Sequence, residues 1–319
     1  MARKNKFAGR DFISVFDFSS KEIWDIFYLA KAMKAKPKKY QKALNGKIMA
    51  LIFEKPSLRT RVTFDAGIKQ LGGDSIYLSP LEINLGKRES VYDVAKNLER
   101  MVNGIMIRTF GHDIATGLAE HASIPIINGL TDLEHPCQAM ADYFTVWEFY
   151  KKLEKVKVAY VGDGNNVAHS LMLGAARIGL TVSIGTPSGF EPNQEIVEKA
   201  RAGAKKTGAK IIVTNDPVEA VKNADAVYTD VWASMGQEAE TEDRAAVFSD
   251  YQVNHKLMSL ACAEAVFMHC LPAHRGYEVS PGVIDSPQSI VYDQAENRLH
   301  VQKAILYLLL SDKVPAAIS

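Results

Sequence analysis

The sequence has few cysteines, no long apolar run and almost no net charge. Its three cysteines, Cys137, Cys262 and Cys270, are scattered and lack the paired spacing of a disulfide framework or a zinc site. A reducing compartment is therefore predicted, and the cytoplasm fits best. No stretch approaches the roughly 18 uninterrupted apolar residues that can span a membrane, and no signal-peptide segment follows the basic start. With a formal net charge of +1, neither nucleic acid nor an anionic membrane is expected as a partner.

Short apolar runs alternate with longer helical patterns, which is typical of parallel sheets flanked by helices. The charged segment 151–155 is interpreted as a hinge between domains 1–150 and 151–296. The end of the chain, about 297–319, contains a strongly apolar helix that is expected to pack back on the first domain. The predicted class is α/β, with two doubly wound parallel-sheet domains. Strands are predicted near 47–53, 75–79, 104–107, 124–127, 156–161, 181–185, 210–214, 226–229, 266–269 and 289–292.

Polar side chains follow many of these predicted strands. Open α/β sheets bind ligands beyond the carboxyl ends of their strands, so a site is predicted at these edges. The candidates in the first half are Ser57, Arg59, Thr60, Arg108 and His135. Those in the second half are Asn165, Asn166, Asp230, Cys270 and Arg298.

The stretch FEKPSLRTRVTF, residues 53–64, has the features of an anion site. Ser57 can cap a helix whose first N–H groups point at an anion, and Arg59 adds a fork suited to phosphate. Arg61 is roughly 200° around the helix from Arg59, so it is expected to brace the structure instead. A surface ion pair is the alternative interpretation for both arginines.

The other candidates each allow a structural role as well. His135 could polarise a carbonyl group, or it could cap a helix or be a buried, hydrogen-bonded histidine. Asp230 could hold an ammonium group or stabilise a turn. Cys270 could be a nucleophile, a weak hydrogen-bond partner or merely buried; nothing adjacent marks it as activated, so a binding role is favoured. Leu271–Pro272 is a candidate for a cis peptide bond.

Gly162-x-Gly164 follows a strand and opens a helix, as in dinucleotide-binding folds. Val167 occupies the position of the third glycine of that fingerprint, and no acidic residue ends the next strand at 181–185. A nicotinamide cofactor is therefore not expected.

Six segments together resemble the motifs of the carbamoyltransferases, and most closely those of the ornithine carbamoyltransferases. They are EKPSLRTRVTF (54–64), HPCQ (135–138), GDGNNVAHS (162–170), DVWASMG (230–236), HCLP (269–272) and DQAENRLH (293–300). The resemblance implies two α/β domains with the active site in the cleft between them. It also implies a homotrimer, or a multiple of trimers, with sites at subunit interfaces and with no metal and no cofactor. The reaction would transfer the carbamoyl group of carbamoyl phosphate to the δ-amine of L-ornithine.

The resemblance also assigns roles to individual residues. Carbamoyl phosphate would contact Ser57, Leu58, Arg59, Thr60, Asn84, Arg108, His135, Gln138, Cys270, Leu271 and Arg298. Ornithine would contact Asn166, Asp230, Ser234 and Met235. The candidates for the chemical step are Arg59, Arg108, His135 and Cys270. This sequence departs from the family at Leu58, where threonine is usual, and at Asn84, where glutamine is frequent in a loop that often reaches a neighbouring subunit's site.

Three related functions are alternatives. An aspartate carbamoyltransferase would need cationic side chains at the acceptor site, where this sequence offers Asp230, Ser234 and Met235. A putrescine carbamoyltransferase could use Asp230 but would have no use for Asn166 as a carboxylate partner. A catalytically silent homologue would not need the intact polar set at the strand ends.

Overall fold

The computed structural model describes residues 5–83, 85–233, 241–315 and 317–318. The chain forms two compact units: the first runs to Met140 and includes the chain from Asn297 onwards, and the second is Ala141–Glu296. Each unit contains one parallel sheet with helices, which confirms the predicted α/β class. None of the described helices has both the length and the hydrophobicity needed to cross a bilayer.

The sheet of the first unit has four parallel strands in the order β2-β1-β3-β4. The strands are β1 (Ile48–Phe53), β2 (Asp74–Leu78), β3 (Gly104–Arg108) and β4 (Ile126–Leu130). The chain places β2 on one side of β1 and then β3 on the other side, and Phe53 and Arg108 pair at the carboxyl ends of β1 and β3. This switch point is where open α/β sheets bind ligands. The continuous apolar sequence of β1 suits a strand that is covered on both faces.

The helices of the first half begin at side-chain caps in several cases, for example at Ser19, Ser57 and Ser90. They are α1 (Ser20–Ala35), α2 (Leu58–Gln70), α3 (Pro80–Ile83), α4 (Val91–Leu98), α5 (His112–His121) and α6 (Pro136–Tyr150). Proline is the first residue of α6, a position where its missing N–H costs no helical hydrogen bond, and the predicted cap at Ser57 is confirmed.

The sheet of the second unit has five parallel strands in the order β7-β6-β5-β8-β9. The strands are β5 (Lys157–Val161), β6 (Thr181–Gly185), β7 (Lys210–Thr214), β8 (Ala226–Thr229) and β9 (Val266–His269). Its switch point lies between β5 and β8. The helices of this half are α7 (Asn166–Ile178), α8 (Gln194–Ala204), α9 (Pro217–Val221), α10 (Thr241–Phe248), α11 (His255–Met258) and α12 (Pro281–Ile284).

The last helix, α13, is Val291–Leu310 and begins earlier than predicted. The strand predicted near 289–292 is therefore wrong: Ser289 forms only an isolated parallel bridge with Phe267 of β9. The chain then turns into the helix, in which Val291 packs into the core while Tyr292 is exposed. The strand predicted at 124–127 begins two residues later, at Ile126, because Pro125 has no N–H group to donate to the ladder. The apolar part of α13 is buried, and the Asn5 amide donates to the Leu308 carbonyl (2.7 Å).

Candidate active site

The start of α2 in the first unit has the geometry of an anion site. The Ser57 side chain accepts a hydrogen bond from the Thr60 N–H (3.2 Å), which leaves the other N–H groups of the first turn directed beyond the helix end. Leu58 is 72% exposed, and since its side chain is apolar, only its backbone N–H could donate a hydrogen bond to an anion. The positive end of the helix dipole adds to the attraction for negative charge.

Arg59 and Arg61 differ in their surroundings, as their positions on the helix predict. Arg59 is half-buried, whereas Arg61 is exposed and lies with its guanidinium carbon 3.8 Å from the centre of the Tyr77 ring. Arg61 is thus held against β2 by a cation–π contact. Its interpretation as a brace agrees with this contact.

Two further arginines of the first unit belong to the same neighbourhood. Arg298 of α13 is 2% exposed, and its Nη2 donates to the Thr60 hydroxyl (2.7 Å). Arg108 is buried at the end of β3, next to the end of β1. The structure therefore brings together residues that are up to 238 positions apart in the sequence.

The buried side chain of His135 lies in the electric field of these arginines. Burial lowers the pKa of His135 well below its usual 6.5, and the charges of Arg298, Arg108 and Arg59 lower the pKa further. His135 is therefore neutral at physiological pH and can act as a hydrogen-bond donor without being a cation. Gln138, also buried, is on the next turn and donates its N–H to the His135 carbonyl (3.1 Å).

Acidification should destabilise the protein partly through His135. When folding lowers a histidine's pKa, the resulting stability is fully present above the unfolded pKa of 6.5 and is lost as the pH falls from there towards the folded pKa. We expect the His135→Gln variant to lose less free energy of unfolding than the parent protein between about pH 7 and about pH 5. Urea unfolding at a series of pH values measures this. An equal loss in both proteins would contradict the assignment.

Asp230 is the centre of a polar cluster in the second unit. It follows β8 directly and is 7% exposed. Its Oδ1 accepts hydrogen bonds from the Val231 N–H (2.8 Å) and the Cys270 thiol (2.9 Å), and its Oδ2 accepts one from Asn165 Nδ2 (3.0 Å). Three donors thus fix the orientation of the carboxylate, which suits it for binding a cationic group in a defined direction.

The sequence places Asn165 after a strand, and the structure shows what its side chain does. Its Oδ1 caps α7 by accepting from the N–H groups of Val167 (2.9 Å) and Ala168 (3.3 Å), while its Nδ2 reaches Asp230. The helix cap is a signal that the sequence carries, since Asn precedes a helical pattern. The sequence carries no signal for the contact with Asp230, because that contact joins two strand ends 65 residues apart. Asn166 is half-buried at the start of α7.

Cys270 and Leu271 follow β9 and form a sharp turn. The Leu271–Pro272 peptide bond is cis, as predicted, and Leu271 has a φ of 58°. The Cys270 thiol is directed at Asp230, so it helps to orient that carboxylate.

Asp230, His269 and Cys270 each have a donor atom within 4.8 Å of the others, as the ligands of a metal ion do. Both ring nitrogens of His269 are already engaged, however. Its Nδ1 accepts from the Leu271 N–H (2.8 Å), and its Nε2 faces Glu278 Oε1 (3.1 Å). A cation could bind His269 only by displacing one of these contacts.

Gly164, one of the two glycines that suggest a dinucleotide site, has a packing explanation. A Cβ atom at this position would collide with the backbone of residues 190–192. The glycine is therefore required by the close approach of two backbone segments, whether or not a ligand binds here.

Three of the predicted site residues, Asn84, Ser234 and Met235, lie outside the described residues. Their roles stay predictions. Every other predicted site residue lies in a described range.

Two family models together match most of the chain. Residues 10–148 match the model described as aspartate/ornithine carbamoyltransferase, carbamoyl-P binding domain. Residues 154–309 match the model described as aspartate/ornithine carbamoyltransferase, Asp/Orn binding domain.

Curated relatives and solved structures agree with this match. The ornithine carbamoyltransferase of Anoxybacillus flavithermus is 50% identical over 304 residues, which cover 95% of this chain and 97% of the relative. The anabolic ornithine carbamoyltransferase of Pyrococcus furiosus is 50% identical over 305 residues, which cover 95% of this chain and 97% of the relative. The solved structure of the Pyrococcus furiosus ornithine carbamoyltransferase has a TM-score of 0.93 at 49% identity, covering 95% of this chain and 98% of the other.

Proposed function

Because this chain belongs to the aspartate/ornithine carbamoyltransferase family, we propose that it transfers the carbamoyl group of carbamoyl phosphate to the δ-amine of L-ornithine, giving L-citrulline and phosphate. The observation that carries this proposal is the contrast between the two polar clusters. The charges of Arg59, Arg108 and Arg298 act on a neutral His135 in the first unit, whereas the second unit offers the carboxylate of Asp230. The first cluster suits a phosphate beside a carbonyl group, and the second suits a cationic amino acid.

In this proposal the first cluster binds carbamoyl phosphate. The phosphate lies at the start of α2, where Ser57, the backbone of Leu58, Arg59 and Thr60 contact it, and Arg298 is fixed nearby by its bond to Thr60 (2.7 Å). The carbonyl oxygen lies between Arg108 and His135, with Gln138 beside the carbamoyl NH₂ group. The Cys270 and Leu271 stretch is proposed to complete the pocket.

The chemical step is then mainly one of charge stabilisation and positioning. The neutral δ-amine attacks the carbonyl carbon, and negative charge develops on the carbonyl oxygen. The Arg108 guanidinium and the His135 N–H stabilise that charge. The bond from carbon to the phosphate oxygen breaks, Arg59 and the α2 N–H groups stabilise the departing phosphate, and the proton from the amine leaves with it. Neutral His135 suits this role because its low pKa keeps it from taking up the proton.

The second cluster is proposed to bind ornithine. Asp230 attracts the cationic part of the substrate, and Asn165 and Cys270 keep its carboxylate in one orientation. Asn166 is proposed to contact the substrate's carboxylate. Ser234 and Met235 are expected to complete the site on the strength of the family resemblance.

We also propose that the chain assembles as a homotrimer or a multiple of trimers and works in the cytoplasm without a cofactor or a metal. Exposed apolar side chains of the first unit support an interface with another copy: Leu58 and Val62 on α2, and Leu81 on α3, which is 93% exposed. Asn84 is proposed to reach the neighbouring subunit's site. Cysteines that form no disulfide bond, here Cys137, Cys262 and Cys270, fit a reducing compartment.

The proposal is tested by offering carbamoyl phosphate with ornithine, putrescine or aspartate separately to the purified protein. We expect citrulline from ornithine and little product from the other two. An aspartate side chain would be repelled by Asp230, and putrescine lacks the carboxylate that Asn166 would bind. Preference for putrescine or aspartate would overturn the acceptor assignment, and no product from any of the three would favour a silent homologue.

A further inference from the structure

We propose that His269 is a positioning residue for the reaction: it holds the Cys270–Leu271 turn in place through its Nδ1 atom, and Glu278 holds His269. This inference rests on the proposed function and deepens it, because neither residue was assigned a role in that site.

His269 is the last residue of β9 and is buried, and both nitrogens of its ring contact other groups of the protein. Its Nδ1 lies 2.8 Å from the Leu271 nitrogen and accepts that N–H. Its Nε2 lies 3.1 Å from Glu278 Oε1. Because Nδ1 is an acceptor, the proton of the neutral ring is on Nε2 and is donated to Glu278.

Glu278 closes the loop that follows the turn. The same Oε1 atom accepts the His274 N–H (2.5 Å), so one carboxyl oxygen connects His269 with a residue on the far side of Pro272. Glu278 is buried, and its Oε2 makes no hydrogen bond within the described ranges. The contact with His269 is therefore one of the few that satisfy this carboxyl group.

The other side of the turn is fixed by Gln294. The His269 N–H donates to Gln294 Oε1 (3.0 Å), and Gln294 Nε2 donates to Asp142 Oδ1 (2.7 Å). Cys270 thus lies between two backbone N–H groups, each held by a buried side chain. This arrangement sets the position from which its thiol reaches Asp230 (2.9 Å).

The backbone of Leu271 needs such support. Its φ of 58° is in the left-handed region, which costs a residue with a Cβ atom of the order of 1 kcal/mol or more. The bond from its N–H to the side chain two positions earlier offsets this cost. Asn and Asp side chains form the same kind of turn in other proteins, so the turn requires an acceptor at the Nδ1 position rather than an imidazole ring.

Two substitutions of His269 separate positioning from general stability. Asn places its oxygen near the Nδ1 position, so His269→Asn keeps the bond to Leu271 and loses the contact with Glu278. Gln places its amide NH₂ group near the Nε2 position, so His269→Gln keeps the contact with Glu278 and loses the acceptor for Leu271. His269→Asn leaves Glu278 buried with fewer partners, so it is expected to be the less stable variant.

We expect the variant with the lower activity to be the more stable of the two. The kcat/KM for ornithine should fall about 100-fold in His269→Gln and by less than about fivefold in His269→Asn, because a displacement of the order of 1 Å in a site can cost that much. The thermal midpoint should fall further in His269→Asn. If His269 only stabilised the fold, the less stable Asn variant would also be the less active one, and that order would overturn the proposal.

Hydrogen exchange of the peptide that contains Leu271 provides a readout that does not depend on activity. Exchange should be faster in His269→Gln than in the parent and His269→Asn. Equal exchange in the two variants would refute the role of Nδ1. If the parent protein formed no citrulline, the proposed function would fail, while the exchange rates would still decide whether Nδ1 holds the turn.

Discussion

Arg59→Ala is expected to lower kcat/KM for carbamoyl phosphate about 1,000-fold, which corresponds to roughly 4 kcal/mol of transition-state stabilisation. The reason is that Arg59 is half-buried in the first turn of α2, where the helix N–H groups and the Ser57 cap already favour an anion. Its charge also acts on the buried His135. Removing it takes a charged donor from both the bound phosphate and the phosphate as it departs, so kcat and KM should both be affected.

Arg61→Ala is the matched control. It removes the same side chain two positions along the same helix, but from an exposed site where the guanidinium stacks on Tyr77. Its loss should cost about 1 kcal/mol of stability or less and change kcat/KM by less than about threefold. Steady-state kinetics with varied carbamoyl phosphate, together with thermal unfolding, measures both effects. Similar kinetic losses in the two variants would mean that general surface charge, rather than Arg59 itself, attracts the substrate.

Much of the fold follows directly from local sequence. The predicted strands 181–185, 210–214, 226–229 and 266–269 are confirmed. They could be predicted because each is a short apolar run bounded by turn residues. The start of α2 is confirmed because Ser57 provides a cap that the backbone needs. In contrast, the predicted strand 289–292 has the composition of a strand, but only Ser289 forms a bridge to β9, and α13 begins at Val291. Composition alone does not distinguish these outcomes.

The site shows a similar division. Polar residues after strands could be identified because parallel sheets bring those ends to one edge. The partner of each residue could not be predicted, because the contacts join segments that are distant in the sequence. Arg298 donates to Thr60, and Asn165 and Cys270 both donate to Asp230. His269 ends β9 and is buried, as an ordinary core residue would be. Its contacts with Leu271 and Glu278 depend on the direction of its ring, which no periodicity reports.

Asp230→Asn is expected to lower kcat/KM for ornithine by about 100-fold to 1,000-fold, because removing one member of a buried charge pair typically costs about 3–4 kcal/mol. The substitution keeps the shape of the side chain but replaces one carboxylate oxygen with an NH₂ group. In the parent protein, three donors, from Val231, Cys270 and Asn165, bond to the two carboxylate oxygens. One of them would face another donor, so a loss of about 1–3 kcal/mol in stability is also expected.

A loss of ornithine binding can be separated from a loss of structure by titrating the same variant with carbamoyl phosphate. The residues proposed to contact the phosphate group belong to the first unit, so the affinity for carbamoyl phosphate should stay within about threefold of the parent while ornithine turnover collapses. Asp216→Asn is a suitable control. This aspartate also follows a strand of the same sheet, but it is exposed and caps α9 through the Val218 N–H (2.8 Å), which asparagine can do equally well. Its activity should be unchanged. If Asp230→Asn retained full activity with ornithine, the acceptor's ammonium group would have to be recognised elsewhere, and the second unit's selectivity for a cationic substrate would lose its physical basis.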